Sequence, residues 1–269
     1  MTVAAEIGVF GGSGFYSFLE NVSSEVIDTP YGPPSAPVAI GVVAGRQVAF
    51  LPRHGQDHQT PAHKVNFRAN LWAMRELGVR RILGPCAAGS LQPDIAPGDV
   101  VVLDQLVDRT SGRTDTYFDG PVPGHVSLAD PYCPELRAVI IGAADQTGLT
   151  VHENGTVVVI SGPRFSTRAE SAWYRSAGWH AINMTQYPEA ALARELGICY
   201  VGIAMITDYD VGVEGINDIA PVEMHEVFAV LKANVEKTRE LLSNALPMIP
   251  KVAECRCITA LDSGPLRPS

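Results

Sequence analysis

Ile198-Cys199-Tyr200-Val201-Gly202-Ile203-Ala204-Met205-Ile206-Thr207-Asp208-Tyr209-Asp210 is the stretch that decides the fold. From Ile198 to Ile206 it carries no charge, and it reads as a strand buried on both faces. It then ends in two carboxylates, which are expensive to take out of water. Strand side chains alternate, so Asp208 and Asp210 are expected on one face. In open α/β sheets the C-terminal ends of strands are where ligands bind. Neighbouring carboxylates resist ionising together, so one of them holds a proton to higher pH beside an acceptor. The competing reading is a strand-end turn with solvated acids, and these residues alone leave both open.

Outward from this run, strands and helices alternate. Strands are expected at Glu6 to Phe10, Arg81 to Ala87, Val100 to Leu106, Thr156 to Ser161 and Ala181 to Met184. Val38 to Val43 and Gln47 to Leu51 read as a hairpin turning at Ala44-Gly45-Arg46. Helices are expected at Val65 to Leu77, Pro134 to Thr147, Arg168 to Ala177, Glu189 to Leu196 and Val222 to Leu246. Pro134 and Pro188 open two of them, and Gly78, Gly148 and Gly197 follow the ends of three. The order predicts an α/β fold: a single domain over residues 1–250 with a twisted, mixed, mostly parallel sheet flanked by helices. Residues 251–269 read as an irregular tail. Thr29 to Pro37 and Gly112 to Pro131 read as surface excursions, the second long enough to be functional or to bury itself in a partner subunit.

Composition bounds the function. The 269 residues are 46% hydrophobic and 18% charged, enough for a sizeable core. A net charge of -9 argues against nucleic acid as a partner. No apolar run reaches the ~20 residues that cross a bilayer, so no membrane partner is expected. Met1 to Gly8 shows no basic stretch followed by an apolar core, so no signal peptide is expected. The 5 cysteines are an odd number, and three lie in apolar surroundings, as reduced cytoplasmic thiols would.

Other segments offer chemistry. Gly11-Gly12-Ser13-Gly14 follows a strand and can aim backbone amides and the Ser13 hydroxyl at an anion, or can be an ordinary tight turn. Arg53-His54 also follows a strand, and a guanidinium forks onto phosphate with an imidazolium beside it. His54, His58 and His63 with Asp57 match no zinc spacing, so no metal is expected there. Ser161-Gly-Pro-Arg-Phe-Ser-Thr-Arg-Ala-Glu-Ser171 leaves a strand and opens a helix. Cys255-Arg256-Cys257 lies in the tail, where isolated thiols usually do nothing.

GGSGFY at Gly11 to Tyr16, TPYGPPSAP at Thr29 to Pro37, PRHG at Pro52 to Gly55 and HKVNFRANLWA at His63 to Ala73 come first among the shared segments. AGSL at Ala88 to Leu91, PGDVVVLDQLVDRT at Pro97 to Thr110, SGPRFSTRAES, NMTQYPEAALARELGICY and TDYD follow in order. Together they resemble the methylthioadenosine phosphorylases, in the trimeric branch of the purine nucleoside phosphorylase family. The resemblance implies a homotrimer in which inorganic phosphate, a co-substrate, attacks the anomeric carbon of a 5′-substituted adenosine. No other cofactor is expected. It implies phosphate ligands at Ser13, Arg53, His54, Cys86, Ala87 and Thr185, and a ribose contact at Met184. Asp208 is implied as the N7 proton donor and Asp210 as the acceptor of the 6-amino group. Pro221 stands where a histidine meets a free 5′-hydroxyl in relatives, and an apolar residue suits a thioether. Ser166 matches a position linked to substrate choice, and His125 one that reaches a neighbouring subunit's pocket. Cys86 departs from the usual threonine, and a thiol is the weaker donor. Adenosine or 6-oxopurine phosphorolysis, hydrolysis by water, and binding without turnover remain as rivals.

Overall fold

The computed structural model describes residues 5–11, 20–121, 123–211 and 224–260. Its centre is the opening stretch itself, strand β11 (Cys199–Asp208), with β5 (Arg81–Ser90) parallel beside it from Cys199↔Arg81 to Asp208↔Gly89. Around them stand β1 (Ile7–Gly11), β2 (Glu20–Glu25), β3 (Val38–Val43), β4 (Arg46–Pro52), β6 (Val100–Val102), β7 (Gln105–Arg109), β8 (Val151–His152), β9 (Thr156–Ile160) and β10 (Ala181–Asn183). The order is β2-β3-β4-β1-β5-β10-β9-β7, and β11 branches from β5 toward β6 and β8. Parallel and antiparallel pairs mix, with the parallel pairs β1/β4, β1/β5, β5/β11 and β9/β10 at the centre. The expected α/β sheet is what forms.

Period-2 alternation sorts β11 between two helical layers. Tyr200, Ala204 and Ile206 join Phe67, Leu71 and Met74 of α1 (Phe67–Glu76) and Ala190 and Leu192 of α4 (Gln186–Glu195). Val201 and Ile203 join Leu136 and Ile140 of α2 (Pro134–Ala144) and Leu241, Leu242 and Ala245 of α5 (Met224–Met248). Burying both faces is why the run from Ile198 to Ile206 contains no charge.

Three differences from expectation have physical causes. The single strand over Val100 to Leu106 is two, β6 and β7, which leave for different neighbours: β6 pairs β11, and β7 pairs β9. Strand β2, Glu-Asn-Val-Ser-Ser-Glu, is exposed throughout and pairs only with β3, so it carries no hydrophobic signature. The Gly112 to Pro131 excursion is not wholly superficial. Tyr117 is buried with its hydroxyl on the Arg68 carbonyl, Thr116 bonds Glu195, and Arg68 pairs with Asp119. The remaining helix, α3 (Arg168–Ser176), starts at Thr167 with a capping box closed by Glu170.

Candidate active site

Two polar clusters lie along the β5–β11 pair, one beside Gly84 and Tyr200 and one at the C-terminal ends of the strands. The first forms where β4 ends. Arg53 is 3% exposed and Glu189 is fully buried. Arg53 donates Nε to Glu189 Oε2 at 2.9 Å and Nη2 to Oε1 at 2.7 Å, while Nη1 donates to the Pro85 carbonyl at 2.8 Å. Burial works against the guanidinium, but the charge and hydrogen bonds of Glu189 overcome it and hold Arg53 firmly cationic. Tyr200 donates its hydroxyl to Glu189 as well. Glycine makes the room: a Cβ on Gly84 would lie 2.1 Å from the Tyr200 hydroxyl. Glu189 and Tyr200 have a sequence signal only in retrospect, as a carboxylate and a phenol inside otherwise apolar runs.

His54 stands next to this pair, and its reading as an imidazolium is corrected. Burial first, then the neighbouring Arg53 charge, lower its pKa to about 4. Its Nδ1 lies 2.9 Å from the Thr60 carbonyl, so Nδ1 carries the hydrogen and Nε2 is an acceptor. The His54 and His58 rings lie 4.5 Å apart. Among the described residues, no group of three or more potential metal ligands forms around them.

Cys86 faces the core. Its Sγ donates to the Ile203 carbonyl at 3.7 Å and accepts from Asn183 Nδ2 at 3.2 Å and Gln186 Nε2 at 3.4 Å. Burial pushes the thiol up to about 11, so it stays neutral. Here its hydrogen points to backbone. Ala87, the next residue, lies opposite Met205 and is partly exposed. Thr185 is buried at the N-terminus of α4 and caps no backbone amide with its side chain. Regular helix begins only at Pro188, because Tyr187 is extended at φ -118, ψ 131.

The second cluster gathers where β5, β10 and β11 meet at Gly89, which pairs with both Ile182 and Asp208. A Cβ on Gly89 would lie 2.8 Å from Asp208 Oδ1 and 3.3 Å from Asp210 Cβ, so the glycine leaves the carboxylates their space. Asp208 and Asp210 do come together, but not by strand alternation. The strand ends at Asp208, and Asp210 takes a left-handed conformation at φ 51. The Asp210 amide then donates to Asp208 Oδ1 at 2.8 Å, a local turn built by an aspartate side chain. Thr207 Oγ1 donates to Asp208 Oδ2 at 2.8 Å.

Asp210 is 3% exposed, and its pKa is shifted upward. Burial is the main cause of its rise to about 6, and the Asp208 charge adds to it. The Ser171 and Ser166 hydroxyls pull the other way without completing a hydrogen bond. Asp210 Oδ2, Ser166 Oγ and Ser171 Oγ are buried without a partner among the described residues. The Asp210 carboxyl and the two serine hydroxyls thus form one buried polar cluster. Met184 borders it, fitted against Gly162, where a Cβ would lie 2.5 Å from its sulfur. His125 is exposed on the long excursion. Ser13 and Pro221 lie outside the described residues.

Comparison with known proteins follows this geometry. The chain is 53% identical over 261 residues to an S-methyl-5′-thioadenosine phosphorylase of Thermofilum pendens, covering 96% of this chain and 98% of that one. It is 52% identical over 269 residues to a purine nucleoside phosphorylase of Streptomyces coelicolor, covering 96% and 95%. The crystal structure of a methylthioadenosine phosphorylase from an antarctic soil metagenomic library superposes with a TM-score of 0.89 at 40% identity, covering 96% of this chain and 91% of that one. The model of the phosphorylase superfamily matches residues 6–247, a span that takes in strands β1 to β11 and both polar clusters, and the chain belongs to that family.

Proposed function

We propose that the chain phosphorolyses 5′-methylthioadenosine to adenine and 5-methylthioribose 1-phosphate, with phosphate as co-substrate and no other cofactor. The observation that carries this reading is the placement of a fixed arginine and a protonatable carboxylate pair along one strand, β5. Arg53 is tied to Pro85 and the aspartates to Gly89, with Ala87 between them. An arginine locked by Glu189 loses no motion on meeting an anion, and two of its N–H groups remain beyond the three bonds described. Phosphate is held by Arg53, the backbone around Ala87, Thr185 and Ser13. His54 contributes its Nε2 as an acceptor for a phosphate hydroxyl.

A ribosyl transition state is cationic, so the protein positions phosphate and neutralises the departing base. Asp208 faces N7 and Asp210 the 6-amino group, and the pair as a unit supplies the proton. Burial raises the Asp210 pKa to about 6, the Asp208 charge adds to that rise, and the Asp210 amide donates to Asp208 Oδ1 at 2.8 Å, so the titration belongs to the pair. A carboxylate would repel a 6-oxo group, which favours adenine. Ser166 lines the same pocket, Met184 lies under the sugar, and Pro221 offers an apolar wall to the thioether. The working form is a cytoplasmic homotrimer in which His125 reaches the next subunit's pocket. All five cysteines are free, which suits a reducing compartment. Among the described residues, no helix is long and apolar enough to cross a membrane.

The Streptomyces relative's name, purine nucleoside phosphorylase, favours a second reading, phosphorolysis of purine nucleosides other than methylthioadenosine, and inosine is the probe for it. The test is adenine release from methylthioadenosine with and without phosphate, beside inosine. Strictly phosphate-dependent adenine release with little hypoxanthine is expected. Equal release without phosphate means hydrolysis, and faster turnover of inosine means the second reading.

A further inference from the structure

The opposite end of β11 holds a group of side chains that phosphorolysis does not use. Cys199 is the first residue of β11, Cys133 is the cap residue before α2, and Cys255 and Cys257 lie in the turns after α5. The four sulfurs all lie within 4.8 Å of one another. Cys199 and Cys255 are 3.3 Å apart, and Cys133 and Cys255 are 3.6 Å apart. A sulfur–sulfur bond would be about 2.05 Å, and all four cysteines are free. A zinc–sulfur bond of about 2.3 Å sets the edge of a tetrahedral four-thiolate site at about 3.8 Å. The Cys199–Cys255 and Cys133–Cys255 separations lie just below that edge, and none among the four sulfurs exceeds 4.8 Å. The tail thiols, expected to be isolated, therefore join two core thiols in one cluster.

We propose that Cys133, Cys199, Cys255 and Cys257 bind one Zn2+ ion as a closed structural site. Four soft, all-sulfur donors in this arrangement select zinc over the harder divalent ions. Three of the four are buried, and four sulfurs leave no open coordination position, so the site is structural rather than catalytic. The backbone under it is fixed before any ion arrives. The Cys133 amide donates to the Tyr200 carbonyl at 2.8 Å, and the Cys199 amide to the Arg80 carbonyl at 2.9 Å. On the tail side, the Glu254 amide donates to Glu135 Oε1 at 2.8 Å. On binding, the thiols release their protons to solvent and each sulfur forms one bond to the metal, with no change of oxidation state. The ion clamps the segment after α5 onto the first residue of the central strand.

The experiment is elemental analysis of the full chain purified without chelator, with alkylation under native and denaturing conditions. One zinc per chain is expected, with these thiols protected until a mercurial displaces the metal. The Cys255→Ser/Cys257→Ser double variant should lose the zinc and lower the apparent Tm by on the order of 5 °C or more. Cys86→Ser should keep the zinc. Disulfides among the four in the native protein, or freely alkylated thiols that take up no added zinc, overturn the proposal. Equimolar iron in place of zinc overturns the choice of ion. The metal content of the unmodified chain decides the matter even if the double variant does not fold.

Discussion

The two ends of β11 share one backbone and one neighbouring strand, yet gather different chemistry: thiols at one, carboxylates and hydroxyls at the other. At Cys199 the sulfurs face one another and close on themselves. At Asp208 the chain leaves Asp210 Oδ2, Ser166 Oγ and Ser171 Oγ buried with no partner among the described residues. Native proteins pair their buried polar groups, so a cluster left incomplete on a rigid frame is one waiting for a ligand. The Arg53–Glu189–Tyr200 group combines the two behaviours: its charges are paired inside the protein, and the arginine retains donors for a second partner. The lesson is that polarity at a strand end does not mark function by itself.

The largest test of this contrast is Asp208→Asn. Loss of a proton relay should lower kcat by about 10²–10⁴, while Tm moves little because Asp208 is only partly buried. Steady-state kinetics beside a thermal melt separates the two effects, and near-normal kcat would remove the open carboxylate end from the mechanism. Next comes Arg53→Ala. It strands Glu189 as an unpaired buried charge, so about 3–5 kcal/mol of stability should go. Phosphate KM should rise in whatever protein still folds. Arg53→Ala/Glu189→Gln should recover much of the stability in denaturant titration but not the phosphate affinity. Recovery of both would make the pair purely structural.

Asp210→Asn should give a gain. The folded pKa of about 6 lies above the ordinary 3.8, so the native state binds more protons than the unfolded chain between these values. Native stability therefore falls as pH rises from about 4 to 6, and the cost persists above that range. Asparagine avoids it. The variant should be more stable at pH 7–8, by at most about 3 kcal/mol, and little changed near pH 4, with activity reduced. Melts across that pH range check the sign, and a variant less stable at pH 8 than at pH 4 relative to the parent would show Asp210 to be structurally satisfied after all. The smallest effect is expected for Cys86→Thr. Because Sγ donates to the Ile203 carbonyl, phosphate KM should change less than about threefold and stability by about 1 kcal/mol or less. A large fall in phosphate KM would mean the side chain at this position turns to the ligand.

Much of the frame was legible in the residues. β11, β3, β4 and α2 through α5 lie within a few residues of where apolar periodicity and the flanking Pro and Gly put them. Strand β2 was not, because an exposed edge strand is defined by its partner β3 rather than by its own side chains. The Asp208/Asp210 pair was legible as a pair. Its cause was misread, since a left-handed residue and an aspartate-built turn, not strand alternation, bring the two together. Glu189 and the four-cysteine cluster were invisible to spacing, for their partners are distant in sequence. Arg53 and Glu189 are 136 residues apart, and Cys133 and Cys255 are 122 apart.

The sequence by itself determined the elements, their layering and the family, because periodicity, turn residues and ordered motifs are local properties. Only the tertiary structure decided the state and the neighbours of the buried groups: that Cys86 turns inward, His54 is neutral, Asp210 titrates above an ordinary carboxylate and four thiols meet. Each depends on desolvation and on neighbours that the fold assembles from separate elements, and none is written in any one stretch of chain.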